Sequence, residues 1–432
     1  MRIIYIAAGS GGTYCEVCKR DIALARGLME RGHEVMVFPL YTPLATDGPA
    51  PTRNRIFYGG INAWLQQNVP LFRRTPRFID WLFDRPSLLR LVCRFAIETD
   101  PSELGEMTVS VLRGNHGHQR KELDRLMAFL ERIESPDVLN LTNSLLSMIA
   151  PEAKRRLGTP VVCALEGEDE FVEDLRSPWR QEAQDLMRRY AEEVDVFTAP
   201  DADYAERMSE FLGVSRRRVR VVPPGIDLSD YRPVQTRVRH PFRVGYCGPI
   251  TRAKGIDLVC DAFERLSRSE APDGAGPELG VGVPPRGENE ELWEQLFSAL
   301  VGEGLEERVD CTEDLGREER VEFYHRCSVV AVPSRCAERT GLTCLEALAC
   351  GVPVVAADKG VLGEIIRRTG GGVLIPPGDP DALESALSEL REDPEQADRM
   401  GRRGAEGVAQ RFSGRAMAEA MLEIYGELGK SE

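Results

Sequence analysis

The first 38 residues contain the feature that most restricts how this chain can fold. A short apolar run at 3–8 is followed by the glycine-rich stretch 9–12, GSGG. A helical pattern over 17–31 ends at Gly32, and a second apolar run covers 33–38. Strand, turn, helix and strand in this order predict a βαβ unit, which requires a parallel sheet covered by helices.

Similar alternation continues along the chain and restarts after a linker rich in Pro and Arg at 231–241. The interval 269–290 is Gly- and Pro-rich, and it predicts no regular element. Further strands are expected at 138–141, 160–165, 194–199, 219–222, 242–247, 329–333, 352–356 and 372–375, and further helices at 119–134, 180–192, 256–268, 342–349, 380–390 and 416–428.

Two such series predict an α/β protein with two Rossmann-like domains that face a central cleft. A chain of 432 residues is also too long for one ordinary core. We expect an N-terminal domain at 1–235, a C-terminal domain at 236–412, and a C-terminal helix at 413–432 that packs back on the first domain. Ligands of parallel sheets bind beyond the carboxyl ends of the strands, so we expect the site in the cleft.

Composition excludes several classes of function. The net charge of −15 disfavours nucleic-acid binding, which needs clustered Lys and Arg. The eleven Cys are an odd number, and Met1-Arg2 leads directly into a strand without a signal peptide. No apolar run of about 18 residues is present. These features predict a cytoplasmic protein with reduced thiols and without a transmembrane helix.

The strongest chemical signal is a pair of glutamates, Glu338 and Glu346, in the segment ERTGLTCLE. A helix that begins near Gly341 would point its free N–H groups and positive dipole end at the expected site, where an anion can bind. Glu338 could accept hydrogen bonds from sugar hydroxyls, and Glu346 could accept both ribose hydroxyls of a nucleotide. Two surface glutamates near a helix start are the alternative, but they leave the flanking glycine-rich frame unexplained.

This segment resembles the Glu-x7-Glu region of the family 4 glycosyltransferases, which are retaining enzymes of GT-B fold. The resemblance covers most of the chain. The opening glycine turn, the RGHEV sequence at 31–35, the VPPGID turn at 222–227 and Lys254-Gly255 follow in the family's order. It implies that Glu338 contacts the transferred sugar, that Glu346 contacts the ribose, and that the amides of Gly341, Leu342 and Thr343 contact the diphosphate.

The same resemblance implies that cations replace a metal at the departing diphosphate. Lys254 fits this role, whereas Pro249 stands where the family has Arg. Arg252 lies in the same loop and could substitute for it, or it could be an ordinary exposed Arg. Gly12 is the residue of the opening turn that we expect to contact the donor diphosphate. A tight turn without a ligand is the alternative for that segment.

On the acceptor side the sequence departs from the family. Glu166 stands where relatives commonly have His, and 140–143, NLTN, replaces a frequent His-x-His. Glu166, Glu168 and Asp169 are therefore candidates for binding acceptor hydroxyls, and plain loop carboxylates are the equally weighted alternative.

Two further motifs have structural interpretations. Asp201-Ala202-Asp203 matches the Asp-x-Asp of metal-dependent transferases, but it opens a predicted helix, which favours helix capping. Cys15 and Cys18 could form a redox or metal pair, yet they stand at a helix start with no second Cys pair or His cluster, which favours packing. We therefore expect no metal, and no cofactor apart from the nucleotide sugar as substrate.

Residues 53–95 are unusual in this acidic chain. They contain eight Arg and two Asp, a local balance of +6, interleaved with aromatic residues and broken by three Pro. This composition suits weak peripheral contact with an anionic membrane or a lipid-linked acceptor. The alternative, which we favour, is aromatic core with Arg on a solvated face.

The sequence thus predicts a retaining, metal-independent glycosyltransferase that uses a nucleotide diphosphate sugar and an unidentified acceptor. Two other functions remain compatible with the pattern: a degenerate relative that binds a nucleotide sugar without catalysis, and a sugar-nucleotide epimerase of the same fold. The Glu-x7-Glu frame disfavours the epimerase, and the presence of Lys254, Glu338 and Glu346 disfavours the degenerate relative.

Overall fold

A computed structural model describes residues 1–9, 15–42, 44, 52, 56–58, 60–74, 104–133, 136–233, 241–269, 276–282, 288–312 and 315–429. The chain divides into unit 1, Met1–Pro223 with Gly414–Glu432, and unit 2, Pro224–Ser413. This division precedes the expected boundary at residue 235. The reason is that Ile226 donates its N–H to the carbonyl of Phe412 at 2.9 Å, and Tyr231 is buried in the core of unit 2.

Unit 1 contains a parallel sheet of six strands in the order β2-β1-β3-β4-β5-β6. In the interior strand β1, Ile4 lies opposite Met36 on one side and Leu139 on the other. Residues 3–6 are completely buried, as expected for a strand with helices on both faces. The strands are β1 (Arg2–Ala7), β2 (Glu34–Pro39), β3 (Val138–Leu141), β4 (Val161–Ala164), β5 (Val196–Ala199) and β6 (Val219–Val221).

The helices of unit 1 include the final helix of the chain, α16, which packs against α1. The two backbones approach closely, because a Cβ at Gly27 would lie 2.3 Å from the carbonyl oxygen of Gly414. Leu24, Leu28, Met417 and Met421 share the core beside this contact. The helices are α1 (Glu16–Glu30), α2 (Gly60–Asn68), α3 (Gly105–Leu112), α4 (Arg120–Leu130), α5 (Ala150–Leu157), α6 (Glu168–Asp174), α7 (Trp179–Ala191), α8 (Ala202–Leu212) and α16 (Gly414–Leu428).

Unit 2 contains a second parallel sheet of six strands, in the order β12-β11-β10-β7-β8-β9. The prediction of no element at 269–290 is wrong, because β8 lies within that interval. A Cβ at Gly282 would lie 2.6 Å from Leu315 Cδ1, so close packing explains a glycine in this strand. The strands are β7 (Arg243–Cys247), β8 (Glu278–Gly282), β9 (Val309–Thr312), β10 (Val329–Val332), β11 (Val354–Ala357) and β12 (Gly372–Ile375).

The chain enters and leaves unit 2 side by side, since Ile226 forms an isolated parallel bridge with Ser413. The helices of unit 2 are α9 (Ile256–Arg268), α10 (Glu288–Gly302), α11 (Arg317–Arg326), α12 (Leu342–Ala349), α13 (Val361–Thr369), α14 (Pro380–Glu392) and α15 (Pro394–Arg411). Among the residues that the structure describes, no helix combines the length and apolar character needed to cross a bilayer.

Candidate active site

Lys254 and Glu338 form an ion pair at the carboxyl edge of the unit 2 sheet. Lys254 Nζ lies 2.7 Å from Glu338 Oε1, and the hydroxyl of Ser334 donates to the same oxygen at 2.5 Å. The two residues follow β7 and β10, which are neighbours in the sheet. The Glu338 side chain is 7% exposed and that of Lys254 is 26% exposed, so the pair is shielded but reachable. This pair joins two of the residues that the sequence predicts for catalysis.

The backbone of Glu338 is fixed by the segment that follows β11. Its carbonyl accepts the N–H of Val361 at 3.1 Å, and it forms an isolated parallel bridge with Gly360. Gly360 has φ +57°, and a Cβ there would lie 2.6 Å from the Glu338 carbonyl oxygen. A glycine at 360 therefore allows the close approach that positions the carboxylate.

Helix α12 begins four residues after Glu338 with an open N-terminus. Gly341 precedes the helix in the left-handed conformation, with φ +57°, and no side chain caps the helix. The hydroxyl of Thr343 donates to the carbonyl of Cys247 at 2.9 Å, which ties this first turn to the end of β7. Uncapped N–H groups and the positive end of the helix dipole favour a bound anion.

Glu346 lies on the same helix, in a buried network that the sequence did not reveal. Its carboxylate accepts hydrogen bonds from the hydroxyls of Tyr231 and Tyr324, the latter at 3.0 Å. Arg320 Nε lies 3.3 Å from Glu346 Oε2, the oxygen that also accepts the Tyr324 hydroxyl, and both charged side chains are only 2% exposed. Burial and the negative charge of Glu346 raise the pKa of Tyr231, so Tyr231 remains a neutral donor.

Arg252 is exposed, and its nearest acidic contact is Asp257 at 3.4 Å. Arg335 pairs with Asp257 through both terminal nitrogens, at 2.7 and 2.9 Å, and also donates to the carbonyl of Arg252. Pro249 occupies the position of the expected Arg, and its carbonyl accepts the hydroxyl of Tyr246 at 2.6 Å. Arg335 therefore fixes the backbone of Arg252, while the Arg252 side chain stays exposed.

In unit 1, Glu166 lies at the end of β4 and is paired with Arg20 of α1. Arg20 also pairs with Asp21, which accepts hydrogen bonds from Tyr5 at 3.0 Å and from Thr142. The Glu166 side chain is 6% exposed. The expected contact residue Gly12 lies outside the described residues.

Glu168 and Asp169, the other candidates for acceptor binding, make contacts inside unit 1. Glu168 accepts the N–H groups of Ser144 and Glu166, both at 2.6 Å, while burial raises the pKa of its carboxyl. Asp169 accepts the hydroxyl of Tyr204 at 2.9 Å and lies 2.9 Å from Arg207 Nε. These contacts organise the loop after β4, and binding of an acceptor by these residues stays a prediction.

The interpretation of Asp201 as a helix cap is confirmed. Its carboxylate accepts the N–H of Tyr204 at 2.7 Å at the start of α8. Within the described part of the chain, no group of three or more His, Cys, Asp or Glu could hold a metal ion.

Sequence reasoning missed Arg20, Arg320, Tyr231 and Tyr324, which hold the candidate carboxylates. Arg320 and Tyr324 belong to α11, and Tyr231 is the first residue of the linker, so none stands near Glu346 in the chain. One signal was available: the charged residue Asp21 stands at helical spacing from Cys18, Ala25 and Leu28, on the apolar side of α1.

Comparisons with known proteins match both halves of the chain. The family model "Glycosyl transferase 4-like domain" matches residues 23–225, and "Glycosyl transferases group 1" matches residues 229–407. A D-inositol 3-phosphate glycosyltransferase from Kineococcus radiotolerans is 33% identical over 242 residues, covering 52% of this chain and 55% of that protein. The enzyme of the same name from Nocardia farcinica is 34% identical, covering 54% and 52%. The chain thus matches about half the length of these curated relatives.

Two solved structures resemble the whole chain in fold. Sucrose-phosphate synthase from Thermosynechococcus elongatus has a TM-score of 0.68 and 19% identity, with 100% of both chains covered. Anabaena Alr3699/HepE in complex with UDP and glucose has a TM-score of 0.65 and 16% identity, with 99% of this chain and 100% of that chain covered. With its two parallel-sheet units and both halves matched by glycosyltransferase models, this chain belongs to the family 4 glycosyltransferases and has their GT-B fold.

Proposed function

We propose that this protein transfers a sugar from a nucleoside diphosphate to an acceptor hydroxyl, with retention of anomeric configuration and without a metal ion. The observation that carries the proposal is the Lys254–Glu338 pair beside the uncapped start of α12. A cation, a set of backbone donors and a carboxylate are thereby grouped at one edge of the unit 2 sheet. This set matches what a leaving diphosphate and its attached sugar require.

Departure of the diphosphate is the step that needs stabilisation. Negative charge develops on the leaving oxygen as its bond to the anomeric carbon breaks. The amides of Leu342 and Thr343 and the ammonium of Lys254 would donate to this oxygen and to the phosphates. Fixed donors of this kind contribute about 3–4 kcal/mol each in comparable oxyanion sites. Arg252 would add long-range positive charge from the surface of its loop.

Glu338 would accept hydroxyls of the transferred sugar when the donor arrives. In that state Lys254 binds a phosphate oxygen instead of Glu338. The Lys254–Glu338 ion pair therefore belongs to the protein without donor, and donor binding breaks it. The acceptor hydroxyl attacks the anomeric carbon on the face that the diphosphate leaves, and a phosphate oxygen takes its proton. Bond formation, bond cleavage and proton transfer therefore balance without a protein base.

Glu346 would accept the ribose hydroxyls. Its oxygens are already engaged by Tyr231 and Tyr324, so we propose that the ribose replaces the Tyr231 hydroxyl. Arg320 stays in place and keeps the carboxylate oriented.

A uridine nucleotide is our first choice of donor, because Anabaena Alr3699/HepE was solved with UDP and with UDP-glucose. For the acceptor, D-inositol 3-phosphate is the first compound to test, since it gives the curated relatives their name. We propose that the acceptor hydroxyls bind in the part of unit 1 that contains Glu166, Glu168 and Asp169.

A panel of nucleotides tested by thermal shift is the first experiment. UDP, ADP and GDP are compared with their sugar conjugates. A ligand at 100 times its Kd should stabilise the protein by about 2.7 kcal/mol. Transfer is then assayed with the best donor, and proton NMR of the product reports its anomeric configuration. An inverted product excludes the retaining mechanism, and binding without transfer to any acceptor favours the non-catalytic alternative.

Variants of the ion pair test the mechanism. Lys254→Ala and Glu338→Ala should each lower turnover by about 100-fold or more, because each removes a charge that acts on the reacting group. Their far-ultraviolet circular dichroism should match that of the wild type. Arg399→Ala, which removes an exposed cation elsewhere in unit 2, is the matched control and should keep normal activity. Near-normal turnover in both site variants would disprove the assignment.

A further inference from the structure

Cys15 and Cys18 occupy the start of α1, and the proposed transferase chemistry uses neither of them. Cys15 is the N-cap residue, with extended backbone angles, and its sulfur accepts the N–H of Cys18 at 3.3 Å. Cys15 is partly exposed, whereas Cys18 is buried at 4% exposure. Cys15 is thus partly accessible to solvent, and Cys18 is enclosed by the protein.

The environment of Cys15 favours the thiolate form. Hydrogen bonds from the Cys18 side chain lower the pKa of the Cys15 thiol to about 7, and backbone N–H groups of Cys18 and Val17 act in the same direction. Desolvation and the charge of Asp21 oppose this effect. Because the residue caps a helix of 15 residues, the helix dipole also stabilises a negative charge there.

Five other described cysteines differ from Cys15. Burial raises the pKa of Cys163, Cys260, Cys344 and Cys350, so their thiols stay protonated. Cys311 is exposed on β9 and does not stand at a helix start. Cys15 combines partial exposure, a lowered thiol pKa and a second cysteine three residues along the chain.

We propose that Cys15 and Cys18 form a redox-active dithiol that exchanges with low-molecular-weight disulfides. The Cys15 thiolate attacks one sulfur of the disulfide and expels a thiolate, which leaves a mixed disulfide on Cys15. The Cys18 thiol loses its proton, attacks Cys15 Sγ and expels the second small thiolate. The products are a Cys15–Cys18 disulfide and two reduced small thiols, so two protein thiols are oxidised and one disulfide is reduced.

The spacing allows the bond to form. Residues three apart in a helix have Cβ atoms about 5–6 Å apart, and a disulfide needs about 3.5–4.5 Å. Cys15 has extended rather than helical angles, and its sulfur already accepts the backbone N–H of Cys18 at 3.3 Å, so we expect a small displacement of the two side chains to join the sulfurs. The helix start follows β1, at the sheet edge where ligands of parallel sheets bind.

The test uses the full chain, reduced and then incubated with oxidised glutathione at pH 7. After the remaining thiols are blocked, peptide mapping by mass spectrometry should find a Cys15–Cys18 link. Cys18→Ser should trap glutathione on Cys15, and Cys15→Ser should leave Cys18 unmodified. Serine is itself a good N-cap, so Cys15→Ser should keep α1 folded. Cys311→Ser is the control and should not affect the link.

The rate of alkylation against pH supplies an independent measurement. For Cys15 the midpoint should lie near pH 7, about 1.5 units below that of an ordinary thiol near 8.5. In Cys18→Ser the midpoint should rise, because the strongest hydrogen bond to the thiolate changes. A mixed disulfide that persists on Cys15 in the wild type, or a midpoint equal to that of Cys311, would overturn the proposal.

Discussion

At the scale of single residues, Glu346 has two tasks that compete for one carboxylate. It is the expected partner of a ribose, and it is also the counter-ion of Arg320, which is almost completely buried. Tyr231 and Tyr324 complete its hydrogen bonds. Loss of the charge therefore affects the fold as well as any ligand, which separates Glu346 from Glu338.

Glu346→Gln should destabilise unit 2 by about 3–5 kcal/mol, because it leaves the buried guanidinium of Arg320 without a counter-charge. The measurement is the midpoint of urea unfolding. Glu395→Gln, at a side chain that is 79% exposed, is the control and should change stability by less than about 0.5 kcal/mol. Equal midpoints for Glu346→Gln and the wild type would show that Arg320 does not depend on this carboxylate.

At this scale the sequence predicted the residues at the site better than their partners. Glu338, Glu346 and Lys254 stand in recognisable motifs, and the structure brings Lys254 and Glu338 into contact. Tyr231 and Arg320 have no motif around them, because their role arises from tertiary contacts between distant segments. Local patterns carry no information about such contacts.

At the scale of elements, the start of α12 depends on one glycine. Gly341 has φ +57°, and a Cβ there would lie 2.6 Å from Ile365 Cδ1. The turn thereby begins the helix four residues after Glu338 without using a capping side chain.

Gly341→Ala should lower stability by at least about 1–2 kcal/mol and should weaken nucleotide binding, because a side chain disfavours the left-handed conformation and meets Ile365. Thermal unfolding and calorimetric titration with the best nucleotide measure the two effects. Gly302→Ala is the matched control, since a Cβ at Gly302 has no atom within 4 Å. If the Gly341 variant has the same nucleotide affinity and thermal stability as the Gly302 variant, neither property depends on the left-handed conformation of residue 341.

Element prediction failed where the sequence is poor in strand-forming residues. Strand β8 reads ELGVG, and its two glycines normally weaken a strand. In the structure Gly280 lies against Arg243 and Phe323, and Gly282 lies against Leu315, so packing outweighs propensity. Strands rich in Val and Ile, such as β1 and β10, were predicted because both faces are buried.

The basic segment 53–95 is described only in part. Trp64 on α2 is 57% exposed, and Leu71 in the 3-10 turn Pro70–Arg74 is 74% exposed. Arg73 supports this turn by donating to the carbonyls of Gln66 and Gln67 at 2.8 and 3.0 Å. Two exposed apolar side chains beside basic residues are suited to peripheral membrane contact.

We propose that this segment gives weak, salt-sensitive binding to anionic vesicles. Trp64→Ala combined with Leu71→Ala should lower vesicle binding on the order of ten-fold, because both apolar contacts with the bilayer are lost. Co-sedimentation at low and high salt, with anionic and with neutral lipid, is the measurement. Met29→Ala, at an exposed Met on α1, is the control. Absence of binding at low salt would leave only the aromatic core interpretation.

At the scale of the whole molecule, the net charge of −15 must be compatible with the anionic donor that we propose for this protein. At the proposed donor site, Lys254 and the start of α12 would act on a bound diphosphate at short range. Physiological salt screens exposed charges beyond roughly 8 Å, so the net negative charge of the chain would have little influence there.

Transfer should continue after dialysis against EDTA, because Lys254 and the α12 amides supply the positive charge that a metal would otherwise provide. Turnover before and after chelation is the measurement, with a metal-dependent transferase assayed in parallel as the control. Loss of activity that Mg²⁺ or Mn²⁺ restores would contradict this prediction.

The order in which unit 1 is assembled has a consequence for synthesis on the ribosome. Helix α16 covers Leu24 and Leu28 of α1, but the roughly 190 residues of Pro224–Ser413 separate it from the rest of that unit. At about 5–20 residues per second, translation of this interval takes about 10–40 s. Throughout this time the nascent chain presents an uncovered apolar helix, which is the kind of surface that chaperones recognise. The unit that emerges first is thus the last to become native.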